Sequence, residues 1–219
     1  MTSPIDHLIE EVDEDLRRDR ALVLLRRYGP YAVALALGVT IAVGGVIGWR
    51  HYKTEREMER SVTYTAALDA IARGDAQESQ QLLTEMATAA PASGYGVLSR
   101  LQEAGVKARA GDVAGAAAIY DAMSADSRID PLFRDLGTVL SGLATLDAAD
   151  PAALAARLKP IADGKGPWRF TATELSGFVA LKTGDRKSAQ ELFSRIANDP
   201  RAPEEARARA AAMASTLAG

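Results

Sequence analysis

The chain has 219 residues and a formal net charge of −3, with 29 acidic and 26 basic side chains and no cysteine. The lack of cysteine excludes disulfide bonds, thiolate nucleophiles and cysteine-ligated metals. Charges of both signs are interspersed and no basic tract stands out, so we expect no nucleic-acid partner.

The first predicted element is an acidic tail, residues 1–27, that forms an amphipathic helix. Ser3 and Pro4 are typical of a helix start, with a capping hydroxyl followed by proline at the first helical position. Apolar residues then recur at helical spacing opposite an acidic face. The helix would either lie loosely near lipid headgroups or dock onto a protein. Anionic lipid would repel its acidic face, which favours a protein contact.

The second element is an uncharged segment, residues 28–49, which we interpret as a transmembrane helix. Its 22 residues would reach roughly 33 Å as a helix, enough to cross a hydrocarbon core of about 30 Å. The run is longer than the core of a secretory signal and ends without an Ala-x-Ala site, so we expect it to stay uncleaved. Thr40, Gly44 and Gly48 place small residues on one face, a candidate helix-packing surface. The alternative is that glycine is simply frequent in membrane helices.

The charges beside this segment give only a slight preference for its orientation. Five arginines precede it and four basic residues follow closely, which favours a cytoplasmic N-terminus. Residues 50–62 carry mixed charges without glycine or proline, and this pattern predicts a helical stalk that continues outward.

The rest of the chain, residues 63–219, repeats at intervals of 35 to 38 residues. Gly74-Asp75, Gly111-Asp112 and Gly184-Asp185 each separate two helical patterns, and Ala149-Asp150 occupies the equivalent place. Glycine accepts the left-handed conformation that ends a helix, and aspartate caps the next one. This period is typical of tetratricopeptide-type helix pairs, and the segment after Pro203 would form a capping helix. The predicted fold is therefore all-α: one transmembrane helix, then a tetratricopeptide-like helical-hairpin solenoid with a C-terminal capping helix.

Solenoids of this type bind partners on an inner face that is lined by the first helix of each pair. Five residues on those helices form a candidate partner-binding face: Tyr95, Arg100, Arg134, Arg169 and Phe170. The alternative is that the aromatic residues pack in the core and that the arginines lie on a solvated surface. We interpret Trp168, at the opening of the last pair, as a packing residue.

The sequence offers no catalytic constellation, and we expect neither enzyme activity nor a cofactor or metal. The only histidines, His7 and His51, flank the uncharged segment and leave none in the repeats to activate a serine. Gly94-Tyr95-Gly96 begins a dinucleotide pattern, but Ser99 stands at the third glycine position and no strand precedes it.

The architecture resembles the ancillary subunit family of the bacterial SecYEG translocon. The most specific parts are the exit Gly48-Trp49-Arg50-His51-Tyr52 and the Pro167-Trp168-Arg169 opening of the last pair. The resemblance implies a single-pass protein of the bacterial inner membrane, with its N-terminus in the cytoplasm and its C-terminal domain in the periplasm. It also implies contacts with Sec translocon subunits and a membrane-anchored periplasmic chaperone, and exported polypeptides are further candidate partners.

Three functional hypotheses follow from these patterns and from what the resemblance implies. The first is a periplasmic adaptor that helps exported proteins reach folding factors. The second is a non-catalytic scaffold for another envelope assembly, such as the division or cytochrome-maturation machinery. The third places the repeats in the cytoplasm as a signalling scaffold.

Overall fold

A computed structural model describes residues 43–47, 49–52 and 54–218 of the chain. They divide between two units of the chain, whose bounds are Met1–Met58 and Glu59–Gly219. In the first unit the described residues are helical, and Trp49 and Tyr52 are exposed. None of the helices in the described ranges combines the length and apolarity that a membrane crossing requires. The acidic tail and the stretch from 28 to 42, with Thr40, lie outside the described residues, as does Gly48.

The second unit contains helices and no strand among its described residues, as the predicted all-α class requires. Helix α1 covers residues 59–73 of this unit. The helices that follow are α2 (Ala76–Ala89), α3 (Gly94–Arg109), α4 (Val113–Ala125), α5 (Pro131–Thr145), α6 (Pro151–Ala162), α7 (Arg169–Lys182), α8 (Arg186–Ala197) and α9 (Glu204–Ala218).

The glycine–aspartate turns join the helices of three pairs, as predicted. Gly74, Gly111 and Gly184 have φ angles of 77°, 86° and 78°, a region that residues with a side chain rarely adopt. After the last of them, the Asp185 amide donates to the Ala180 carbonyl at 2.9 Å, which closes the end of α7. The Asp185 carboxylate accepts from the Ser188 amide at 3.0 Å and so caps α8. One dipeptide therefore ends the first helix of the pair and starts the second.

The third pair is joined by a different turn. Asp150 caps α6 by accepting from the Ala153 amide at 2.8 Å, as its place in the repeat predicts. No glycine precedes it, and the amides of Ala148 and Ala149 both donate to the Thr145 carbonyl. The connection between α5 and α6 is consequently longer than the glycine–aspartate turns of the other pairs.

Each first helix carries one small buried residue at the same place in the repeat. It lies seven positions before the turn residue that precedes the capping aspartate. The four residues at this position are Ala67, Ala104, Gly142 and Gly177. Small side chains at this position let the second helix of each pair approach closely.

The second helices supply the larger core residues in the same register. The residue eight positions after each capping aspartate is buried, as is the residue eleven positions after it. In chain order these pairs are Leu83 and Met86, Tyr120 and Met123, Leu158 and Ile161, and Phe193 and Ile196. The repeat in the sequence therefore places buried core residues at the same two positions in every pair.

The third pair departs from this pattern at one core position. Four residues after the capping aspartate the other pairs have a serine or an alanine, whereas α6 has Leu154. A Cβ added to Gly142 would lie 2.9 Å from Leu154 Cδ1, so any larger residue here would require this buried leucine to shift. Helices α5 and α6 also contact each other less extensively than the helices of the second and fourth pairs.

Helix α9 covers the last pair, as the predicted capping helix should. Ala206 and Ala210 join Ala189, Phe193 and Ile196 of α8 in one buried cluster. Alanine on both helices lets them pack closely along their length.

The close approach at Gly177 gives the first prediction. A Cβ at this position would lie 2.8 Å from Cζ of Phe193, a ring that is fully buried and cannot move aside. We expect Gly177→Ala to lower the free energy of unfolding by about 1–3 kcal/mol, measured by urea denaturation with circular dichroism.

Gly105→Ala provides the matched control. Its added Cβ meets only the flexible end of Arg109 at 3.5 Å, and alanine favours a helix interior over glycine. This variant should be more stable by roughly 0.5–1 kcal/mol. Equal effects of the two substitutions would contradict the packing argument.

Candidate functional site

The five residues of the predicted partner-binding face lie on first helices, and all five are half-buried. Tyr95 packs on Tyr64 of α1, with ring centroids 5.6 Å apart. Arg134 lies on α5, and its Nε atom is buried without a hydrogen-bond partner in the described part of the chain. Phe170 lies under the Arg169 guanidinium, 4.1 Å from it, in a cation–π contact. Arg169 and Phe170 are thus in direct contact with each other.

Arg100 belongs to an ion-pair cluster between the second and third helix pairs. Its Nη1 lies 3.3 Å from Oδ2 of Asp126, in the turn that follows α4. The Arg128 side chain donates to both oxygens of the same carboxylate, at 2.8 Å each. Asp126 is thus held between two guanidinium groups, and its side chain is only 11% exposed.

Arg169 belongs to a cluster of the same composition after the fourth pair. Its Nη2 lies 3.2 Å from Oδ2 of Asp199, while Arg201 donates to both Asp199 oxygens at 3.1 and 3.0 Å. Asp126 and Asp199 both stand fourteen residues after a capping aspartate, and both clusters follow an Asp-x-Arg sequence. In both clusters, the aspartate in the turn after a helix pair binds an arginine on the first helix of the same pair.

The arginines hold the pKa of both aspartates below its ordinary value. The Arg128 side chain is the main cause at Asp126, and its backbone amide contributes. Hydrogen bonds from the Arg201 side chain and amide lower the pKa of Asp199 to about 2. Both carboxylates therefore stay charged at any physiological pH.

The Arg169 cluster lines a polar cleft of about 220 Å³ between α7, α8 and the connection after α6. Arg195 crosses this cleft, with Nη2 3.1 Å from the Thr173 hydroxyl and Nη1 3.4 Å from Asp163. Asp163 also accepts from Lys159 at 2.7 Å, and that lysine lowers its pKa. The cleft gathers several guanidinium groups around two carboxylates.

A wider groove of about 450 Å³ adjoins the cleft on the side of the second helices. Helices α6 and α8 form its walls, α7 forms its floor, and it shares Asp163 and Arg195 with the cleft. Sequence reasoning looked only at first helices and missed this groove. The sequence signal for it is the alanines of α6, a residue type that is equally common where helices pack closely.

The arrangement of charges and cavities suits non-covalent binding. Among the described residues, no group of three or more His, Cys, Asp or Glu side chains could hold a metal ion. Trp168 packs against the core of the third and fourth pairs and donates to the Leu132 carbonyl at 2.9 Å, which confirms it as a packing residue.

A family described as tetratricopeptide repeat-like domain matches residues 25–212. The match takes in the uncharged segment as well as the helix pairs. No curated protein and no solved structure shows a significant match to the chain.

The lowered pKa of Asp199 gives the second prediction. A carboxylate with a depressed pKa stabilises the fold above its unfolded pKa of 3.8, and this contribution disappears as the pH falls through about 2. We expect Asp199→Asn to lower the urea midpoint at pH 7 and to reduce the loss of stability between these two pH values. The measurement is urea denaturation at a series of pH values.

Asp69→Asn, at an exposed position on α1, is the control. It removes the same charge without disturbing the Asp199 cluster, so it should lower the urea midpoint at pH 7 much less than Asp199→Asn does. A pH dependence that Asp199→Asn does not alter would mean that the Asp199 cluster contributes nothing to acid stability.

Proposed function

The chain belongs to the tetratricopeptide repeat-like domain family, and from this premise we propose that it is a membrane-anchored adaptor at the bacterial Sec translocon. In this proposal, residues 28–49 cross the inner membrane, the N-terminus lies in the cytoplasm and the repeats lie in the periplasm. The repeats hold a partner protein, such as a membrane-anchored chaperone, close to the point where exported polypeptides emerge.

One observation carries the membrane part of the proposal. A stretch of 22 uncharged residues precedes the repeats, although a quarter of all residues in the chain are charged. The family match begins at residue 25, so it includes this stretch together with the repeats. An apolar run joined to a family domain of binding repeats supports an array tethered beside a bilayer.

Protein binding is the role that the described geometry supports best. The array presents a groove, a charged cleft and exposed leucines on its first helices, such as Leu98 and Leu143. Tethering such an array raises the local concentration of its partner near the membrane without any covalent step. A scaffold for another envelope assembly, such as the division or cytochrome-maturation machinery, would use the same surfaces and is the second candidate.

The test is co-isolation of the full chain after crosslinking in cells, read by mass spectrometry. We expect translocon subunits and a periplasmic chaperone among the enriched proteins. Exchange of residues 28–49 for an unrelated membrane helix should reduce recovery of the translocon, because in this proposal residues 28–49 themselves make the contact within the membrane.

Two results would contradict the proposal. Enrichment of division or cytochrome-assembly proteins without the translocon would favour the second candidate. An inactive periplasm-dependent reporter fused after Leu217, with an active cytoplasmic reporter at the same position, would place the repeats on the cytoplasmic side.

A further inference from the structure

The groove on the side of the second helices has an apolar interior, and basic side chains line one of its two ends. Ala152 and Ala155 on α6 and Leu192 on α8 face it from the walls, with Val179 and Ala180 on α7 below. Alanine side chains leave room between the two walls that longer side chains would fill. The interior can therefore receive apolar side chains from outside.

The groove is directional because α6 and α8 run the same way. Both helices begin at one end, where Pro151 and Asp185 line the groove, and both finish at the other, near Lys159 and Arg195. The 12 residues of α6 give it a length of about 18 Å. This length accommodates roughly five residues of an extended strand or about three turns of a helix.

Positive charge collects at the second end, where the groove meets the polar cleft. Lys159 and Arg195 share Asp163, and Arg169 and Arg201 share Asp199, so four cations face two carboxylates. This end has a net charge of +2, although the whole chain has a net charge of −3. The side chains of Lys159 and Arg201 are 76% and 72% exposed, which leaves donors free to bind an additional anion.

We propose that this groove binds a partner-protein segment whose apolar side chains enter the interior and whose acidic side chain lies at the Lys159–Arg195 end. The inference rests on the proposed function only in requiring that the array binds proteins. It assigns the contact to the second helices α6 and α8, whereas the sequence analysis expected the inner face of first helices.

Ala152→Trp tests the apolar interior, and the repeat supplies a matched control. Ala152 is exposed two residues after the capping Asp150, and Ala114 is exposed at the same place after Asp112 on α4. A tryptophan at 152 fills the groove, while one at 114 adds the same side chain to an equivalent site elsewhere. Lys159→Glu tests the charged end, with Lys187→Glu on α8 as its control for the change of charge.

The probe is a phage-displayed library of random peptides of about sixteen residues, which would reach about 24 Å as a helix and further as a strand, longer than the groove in either conformation. The full chain is presented in nanodiscs of zwitterionic lipid. We expect enriched peptides to combine aliphatic side chains with Asp or Glu. Their synthetic versions should bind the Ala152→Trp and Lys159→Glu proteins about tenfold or more weakly than the unaltered protein. The Ala114→Trp and Lys187→Glu proteins should bind them normally.

Several outcomes would overturn the inference. These are no enrichment above a nanodisc without protein, enrichment of basic peptides, or equal binding by the Ala152→Trp and Ala114→Trp proteins. Self-association of the chain that Ala152→Trp abolishes would assign the groove to a second copy instead. Recovery of the translocon in cells together with failure of peptide binding would retain the adaptor and reject the groove as its contact.

Discussion

The repeat unit depends on the close approach of two helices at one small residue. Alanine or glycine occupies that position in all four pairs, seven residues before the turn, and the larger buried side chains come from the second helix. At Gly177 the facing ring of Phe193 leaves no space for even one more carbon. The left-handed glycine of the turn and the aspartate after it then fix how the second helix starts. Close packing and the conformation of the turn therefore specify the same alignment of the two helices in a pair.

The third pair departs from the other pairs in its second helix and its turn, and the candidate binding features lie next to that pair. Leu154 stands where other pairs have a small residue, and the turn before α6 lacks glycine. The face of α6 that α5 and α7 do not cover carries alanines, and these line the groove. Charged residues gather where α6 and α8 end, because the connections there hold the aspartates that the arginines bind. The chain thus combines a regular core with one irregular surface.

Local chemistry explains which features could be predicted from the sequence. Glycine, aspartate and their spacing act within a few residues, so they predicted the helix pairs and the caps, and Pro203 likewise predicted the start of the final helix. The partners of Arg100 and Arg169 lie 26 and 30 residues away. No local pattern links those arginines to their aspartates, so both were assigned to a binding face without their ion pairs. The groove was missed because an alanine in the sequence is compatible both with a closely packed helix contact and with an open groove. Only the positions of the neighbouring helices show that the alanines of α6 line a groove.

The most direct test of the account is site-specific photo-crosslinking in cells. A photoreactive amino acid would replace Ala152 in the groove or Ala114 at the equivalent site on α4. We expect a discrete crosslinked protein from position 152 that is absent from position 114. Deletion of residues 28–49 should reduce it, because the anchor keeps the groove beside its partner. The same crosslinks from both positions, or none from 152, would contradict the claim that a tethered array binds its partner through this groove.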